Sequence, residues 1–138
     1  MELKVPVSVT IPVQWGDQDL FGHVNNTHFL RWFESARIAY LIQCGLTMTN
    51  KGISPILAAI QCDYLRQVKC PDTVTIGATV EKIGNASLVM VHKVWSEAQH
   101  EVVAQGTSTV VIFDYVSQKP VRVPDPIRDA IERLEKSS

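Results

Sequence analysis

Six residues that could take part in catalysis or binding fall within ten consecutive positions: Asp17, Asp19, Gly22, His23, Asn25 and Asn26. An apolar strand pattern precedes them and an amphipathic helix pattern follows, so the two asparagines stand where a helix N-cap is needed. A helix N-terminus has free N–H groups and about half a positive elementary charge, which suits an anion or a polarised carbonyl oxygen. A carboxylate held opposite those donors would form a workable catalytic pair.

The apolar periodicity predicts the elements that must position these residues. Alternation predicts a strand over 5–15, with Trp15 on its apolar face, and residues 16–24 are predicted to form a loop. Helical spacing predicts a helix from Thr27 to about Cys44, with Phe29, Trp32, Phe33 and Tyr40 in the core. Four strands in hairpin order are then predicted over 56–66, 73–83, 87–96 and 102–115, followed by a short helix over 126–136.

This order of elements predicts an α+β fold in which an antiparallel sheet wraps one apolar helix. The 138 residues are expected to form a single domain, 1–138. A sheet with one covered face leaves apolar positions exposed, which favours an oligomer.

Composition limits the classes of partner. The net charge of −1 gives no reason to expect nucleic acid or an anionic membrane, and no apolar run is long enough to predict a membrane span. The N-terminal residues show no signal-peptide pattern. The three cysteines (Cys44, Cys62, Cys70) are an odd number without a Cys-x-x-Cys pair, so we expect a reduced, cytoplasmic protein in which Cys62 is a core residue.

The chemical stretch also carries a family motif. It reads Asp17-x-Asp19-x-x-Gly22-His23-Val24-Asn25-Asn26, followed by Phe29-Leu30 and Phe33-Glu34-x-x-Arg37, and it resembles the hotdog-fold acyl-CoA thioesterases of the 4-hydroxybenzoyl-CoA thioesterase type. Later residues, Asp63-Tyr64-Leu65-Arg66 and the Gly84-Asn85 hairpin, resemble the same family, so the likeness extends over about 7–115.

The resemblance implies a hotdog fold, that is, a five-stranded antiparallel sheet around a long central helix. It implies hydrolysis of an acyl-CoA thioester without a cofactor, with coenzyme A only as part of the substrate. It also implies a homodimer or homotetramer with active sites at the subunit interface. Within the motif, catalysis maps to Asp19, as nucleophile or general base, and the donor to the thioester oxygen maps to about Asn26.

The remaining motif residues have less direct expected roles. Gly22, His23 and Asn25 are expected to contact substrate, and Asp17 is expected to be structural. For Asp19 itself, the alternative is a loop carboxylate that only satisfies backbone N–H groups. Glu34, which is expected to pair with Arg37 on the helix, is the reserve catalytic carboxylate.

Two further kinds of ligand site can be considered from the residue types. A metal site would require Asp17, Asp19, His23 and His28 together, and helix geometry is expected to point His28 away from the loop, so no metal is predicted. Basic residues for the coenzyme A phosphates have no local motif, and the candidates are Arg66, Lys69, Lys82 and Lys93.

Three alternatives to hydrolysis stay open at the level of sequence. They are a non-catalytic acyl-CoA or acyl-carrier-protein binding module, another hotdog activity such as a hydratase or dehydratase, and a purely structural interaction module. The acyl group, the carrier of the thioester and the number of subunits are not determined by the sequence.

Overall fold

The computed structural model describes residues 3–137, which form an antiparallel sheet and two α-helices. The elements are β1 (Val7–Pro12), α1 (Asn26–Gln43), β2 (Ile53–Tyr64), β3 (Thr73–Ile83), β4 (Ser87–Ser96), β5 (Glu101–Asp114), β6 (Lys119–Pro120) and α2 (Asp125–Lys136). The predicted bounds of β3 and β4 match the observed ones. The two-residue β6, which pairs with the end of β5, was not predicted.

The five long strands lie in the order β1-β3-β4-β5-β2, and every neighbouring pair is antiparallel. The predicted hairpin order is therefore wrong for β2, which pairs with β5 rather than with β3. Alternation fixes which face of a strand is apolar but does not specify its partner. One feature specific to the β2–β5 pairing is Gly106, where a Cβ atom would come within 1.9 Å of the Gln61 carbonyl oxygen of β2.

Helix α1 packs on one face of this sheet, and its predicted core residues are buried. Phe29, Trp32, Phe33 and Tyr40 are all at most 4% exposed. They meet the inward side chains of the sheet, which include Ile76, Leu88, Met90 and Ile112. The predicted α+β architecture, with a sheet around a long helix and a short C-terminal helix, is confirmed.

The first strand is shorter than its alternation predicted. It ends at Pro12, and residues Trp15–Asp17 form a 3₁₀ turn instead. Trp15 is consequently 80% exposed, so its predicted place on the apolar face is wrong. Cys62 is only partly buried, at the margin of the core.

A series of buried, hydrogen-bonded polar side chains joins α1 to the sheet. Arg37 donates from Nη1 to the Ser108 hydroxyl (3.2 Å), which in turn lies 2.9 Å from Nε2 of His92. The other ring nitrogen of His92, Nδ1, is 3.2 Å from the Gly77 carbonyl oxygen, so Nδ1 carries the proton and Nε2 accepts from Ser108. The imidazole also stacks on Phe33, with ring centroids 4.8 Å apart.

These buried hydrogen bonds predict that the protein loses stability in acid. Burial lowers the pKa of His92 to about 4. The hydrogen bond to the Gly77 carbonyl opposes this shift, and the charge of Arg37 adds to it. Between about pH 6.5, the usual pKa of histidine, and pH 4, the unfolded chain binds a proton at His92 that the folded protein does not. The contribution of His92 to the free energy of unfolding is therefore full above about pH 6.5 and is lost as the pH falls toward 4. Complete loss corresponds to about 3 kcal/mol.

Urea unfolding at pH 7, 6 and 5 measures this contribution. We expect His92→Gln to be less stable at pH 7 but to lose much less stability on acidification than the wild type. His100→Asn is the matched control, because His100 is exposed and asparagine tolerates its positive φ of 53°. Equal pH slopes for the wild type and His92→Gln would contradict the prediction.

Candidate active site

The loop before α1 holds the Asp19 carboxylate in a fixed orientation. The Asp19 N–H donates to the His23 carbonyl (2.7 Å) and the Gly22 N–H to the Asp19 carbonyl (3.1 Å), and this tight turn places Gly22 at φ +79°. Oδ1 of Asp19 accepts hydrogen bonds from the N–H groups of Phe21 (2.8 Å) and His23 (3.4 Å). No group within residues 3–137 donates to Oδ2, which leaves that oxygen available for chemistry.

The N-terminus of α1 presents one unused main-chain donor. Asn25 is the N-cap, and its Oδ1 accepts from the N–H and the hydroxyl of Thr27 at 3.0 Å each. The His28 N–H donates to the Asn25 carbonyl (3.0 Å), and the Asn25 N–H to the Asp17 carbonyl (2.9 Å). The N–H of Asn26, at the first helical position, donates to no acceptor in the described part of the chain, so it can serve a ligand.

Asp19 and Asn26 line one cavity of about 390 Å³. Two chain segments form its sides, and the Val24 N–H of the first donates to the Val68 carbonyl of the second at 2.7 Å. The lining residues are Asp19, His23, Val24, Asn26, Phe29, Tyr64, Leu65, Arg66, Gln67 and Val68. The structure therefore brings the predicted carboxylate and the predicted donor to the same space.

Of the three residues predicted to contact substrate, one lines the cavity and two do not. His23 lines the cavity, whereas Gly22 forms the turn and Asn25 the helix cap, outside the lining. Their direct contact with substrate stays a prediction. Both nevertheless act on the site, because one shapes the carboxylate loop and the other fixes the helix start.

Asp17 supports the loop rather than the cavity. Its Oδ2 accepts from the Gln14 N–H (2.8 Å), and its Oδ1 lies 3.8 Å from Nδ1 of His28. The expectation that His28 points away from the loop is therefore wrong, because the first turn of α1 faces the 3₁₀ turn that holds Asp17. Among the described residues, no group of three or more histidines, cysteines or acidic residues is arranged to hold a metal ion.

The reserve carboxylate lies elsewhere on α1. Glu34 pairs with Arg37 at 3.9 Å, as the three-residue spacing predicted, and neither residue lines the cavity. Burial lowers the pKa of Arg37, while Glu34 opposes that shift. No local pattern indicated that Arg37 would be buried, because its partner Ser108 lies 71 positions away.

The basic candidates for phosphate recognition are unevenly placed. Arg66 lines the cavity and forms an ion pair with Glu101. Lys69 lines an adjoining open groove of about 720 Å³, which shares residues 65–67 with the cavity. Lys82 and Lys93 lie outside both spaces.

Apart from Arg66, which was a candidate for phosphate recognition, sequence reasoning missed the far side of the cavity. Tyr64 and residues 65–68 form it, and Tyr64 donates from its hydroxyl to the Asn26 carbonyl oxygen at 3.1 Å. Partial burial, with smaller effects from Cys62, raises the pKa of the Tyr64 phenol, so it is a protonated donor at neutral pH. The family motif included Tyr64, but no local pattern connects it to a helix start 38 positions earlier.

A long helix wrapped by an antiparallel sheet, together with a short C-terminal helix, is the hotdog fold. The chain belongs to the Thioesterase-like superfamily, whose family model matches residues 13–131. The match is to the superfamily, and the narrower 4-hydroxybenzoyl-CoA type stays a prediction. Within residues 3–137, no helix is long and apolar enough to cross a membrane.

Named relatives support the same class. The chain is 27% identical over 120 residues to the long-chain acyl-CoA thioesterase FadM of Escherichia coli (strain K12), covering 86% of this chain and 91% of the relative. It is 22% identical over 132 residues to the acyl-CoA thioesterase YbgC of Haemophilus influenzae, covering 93% and 96% of the two chains. A crystal structure of a thioesterase from Thermus thermophilus, complexed with coenzyme A and Zn, superposes with a TM-score of 0.83 at 32% identity, covering 96% of each chain.

Proposed function

We propose that the protein hydrolyses an acyl-CoA thioester, converting R–CO–S–CoA and water into a carboxylic acid and free coenzyme A. The observation that carries this proposal is the shared cavity of Asp19 and Asn26. Both residues line the same space of about 390 Å³. Among the residues described, the Asp19 carboxylate has one oxygen without a donor and the Asn26 N–H has no acceptor. Membership of the superfamily and the two relatives named as acyl-CoA thioesterases support it.

The geometry suits a polarised carbonyl. In the proposed complex, the thioester oxygen accepts a hydrogen bond from the Asn26 N–H, which stabilises the negative charge that develops on that oxygen. Asp19 then acts through Oδ2 on the carbonyl carbon or on a water molecule beside it. A thioester has a good thiolate leaving group, so this modest assistance is sufficient.

Both routes for Asp19 balance. If Asp19 is the general base, it takes a proton from water as the hydroxide attacks, and it returns that proton to the departing thiolate. If it is the nucleophile, it displaces the thiolate to form an acyl anhydride. Water then hydrolyses the anhydride to the acid and the free carboxylate, and the proton released from that water neutralises the thiolate. Neither route requires a metal or a redox cofactor.

The walls of the cavity suit the two ends of such a substrate. Leu65 is exposed and provides apolar surface for an acyl group, whereas Val24, Phe29 and Val68 also line the cavity but are almost fully buried. Arg66 and Lys69 lie toward the adjoining groove, where they would meet the anionic coenzyme A moiety.

A homodimer or homotetramer is part of the same proposal. Strand β2 lies at the edge of the sheet and exposes apolar side chains, namely Ile53, Ile56, Leu57 and Tyr64. An exposed edge strand of twelve residues is a ready template for pairing with another strand. A second copy of the chain fits this role, and the number of subunits stays a prediction.

Thiol release from a panel of short, long and aromatic acyl-CoAs tests the proposal. We expect turnover of at least one member, and the preferred acyl group will describe the cavity. Binding of the same esters in calorimetry without thiol release would favour the acyl-CoA binding module instead. Loss of enoyl absorbance from enoyl-CoA, without thiol release, would favour a hydratase.

A further inference from the structure

Tyr64 contacts the first turn of α1 at two points. Its hydroxyl donates to the Asn26 carbonyl oxygen at 3.1 Å, and its ring stands edge-on to Phe29, with centroids 5.1 Å apart and planes at 90°. Asn26 and Phe29 are three residues apart, so they lie on the same face of the helix. Phe29 is itself buried and packs on Trp32 at 4.8 Å, which gives the Tyr64 ring a rigid support.

These contacts complete the attachment between the two sides of the cavity. The Val24–Val68 hydrogen bond joins them just before the N-cap residue, and the Tyr64–Asn26 hydrogen bond joins them just after it. Residues at helix ends fray because they have few intrahelical partners. Residue 26, which carries the free N–H, is therefore attached through the loop before it and, at its own carbonyl group, to the last residue of β2.

Tyr64 is not required for the fold in the way that the core aromatic residues are. It is the last residue of the edge strand β2, and it is 45% exposed. An exposed hydroxyl that hydrogen-bonds a carbonyl oxygen contributes little to global stability, because water can replace it. Because Tyr64 contacts residue 26, which carries the donor N–H, we expect its loss to affect the rate rather than the stability. Misplacement of a reacting group by a fraction of an ångström reduces the rate.

We propose that Tyr64 is a positioning residue for thioester hydrolysis. Its hydrogen bond to the Asn26 carbonyl fixes the peptide unit that follows residue 26, and thereby the backbone position of the residue whose N–H would serve the substrate oxygen. This inference rests on the proposed function. The hydroxyl acts on the helix start, whereas the ring forms part of the cavity wall. The two parts of the side chain can therefore be separated by substitution.

Tyr64→Phe removes the hydroxyl and keeps the ring against Phe29. With the best thioester of the panel, we expect kcat to fall about tenfold, the value of one hydrogen bond, while KM and the melting temperature stay close to those of the wild type. Tyr115→Phe is the matched control, because Tyr115 is a partly exposed tyrosine that also stands edge-on to a phenylalanine, Phe113, but it lies in the turn after β5 and outside the cavity lining. We expect no change in kcat for that variant.

A double-mutant cycle tests whether Tyr64 acts through the Asn26 donor. Asn26→Pro removes that N–H, so Tyr64→Phe is expected to cause no further loss of kcat in the proline background. Wild-type kcat in Tyr64→Phe, an effect on KM alone, or an equal loss of kcat in both backgrounds would each overturn the inference. Absence of thiol release by the wild type would instead overturn the proposed function, and it is seen before any variant is compared.

Discussion

Replacement of Asp19 by asparagine is expected to lower kcat for the preferred thioester by about a hundredfold or more. Asparagine retains the size of the side chain and an oxygen that can accept from the Phe21 and His23 N–H groups, so the loop keeps its shape. Its amide can neither attack a carbonyl carbon efficiently nor take a proton from water. Steady-state thiol release, with circular dichroism to confirm folding, measures the effect.

Asp17→Asn is the matched control for that experiment. Asp17 lies two residues away in the same loop, yet its carboxylate accepts from the Gln14 N–H and lies outside the cavity lining. An asparagine oxygen can accept the same hydrogen bond, so we expect kcat within a few-fold of the wild type. A reversed order, with Asp17→Asn inactive and Asp19→Asn active, would show that our proposal assigns the chemistry to the wrong carboxylate.

Asn26→Pro is expected to lower kcat by a similar factor, about a hundredfold, through loss of a single N–H. One oxyanion donor contributes on the order of 3 kcal/mol to the transition state. Proline is well tolerated at the first position of a helix, where the N–H has no helical acceptor. The preceding Asn25 has φ −62° and ψ 137°, which is the conformation that a residue before proline adopts.

Asn26→Ala separates the main chain from the side chain. It keeps the N–H and removes only the amide group, so we expect it to retain most of kcat while Asn26→Pro does not. The comparison requires both variants to unfold at temperatures close to that of the wild type. Equal activity of the two variants would show that the main-chain donor has no part in the reaction.

Local sequence patterns predicted the individual elements of the fold well. The alternation of β3 and β4 indicated their bounds, and the helical spacing of the aromatic residues indicated the buried face of α1. The pairing of β2 with β5 depends on contacts between distant residues, such as Gly106 with Gln61, and alternation contains no such information. The same reason explains Arg37, whose burial depends on Ser108 and His92 in two other strands.

The two sides of the candidate site also differ in how far the sequence predicts them. Its near side, from Asp19 to Asn26, is continuous in sequence, and both the chemistry of its residues and the family motif pointed to it. Its far side comes from Tyr64 and residues 65–68, which reach the helix start only because β2 ends there. Sequence spacing could indicate a carboxylate and a donor, but not the surface against which a substrate would lie.

The donor at position 26 belongs to the backbone, and this has a consequence for how such a site can diverge. Every amino acid except proline supplies the same N–H there, and residue 26 is part of the cavity lining. If the protein acts as proposed, substitutions at residue 26 would change the preference for the acyl group without removing the donor. Residue 25 has no such freedom, since its side chain caps the helix, and an evolving lineage would alter substrate range at one position while keeping its neighbour.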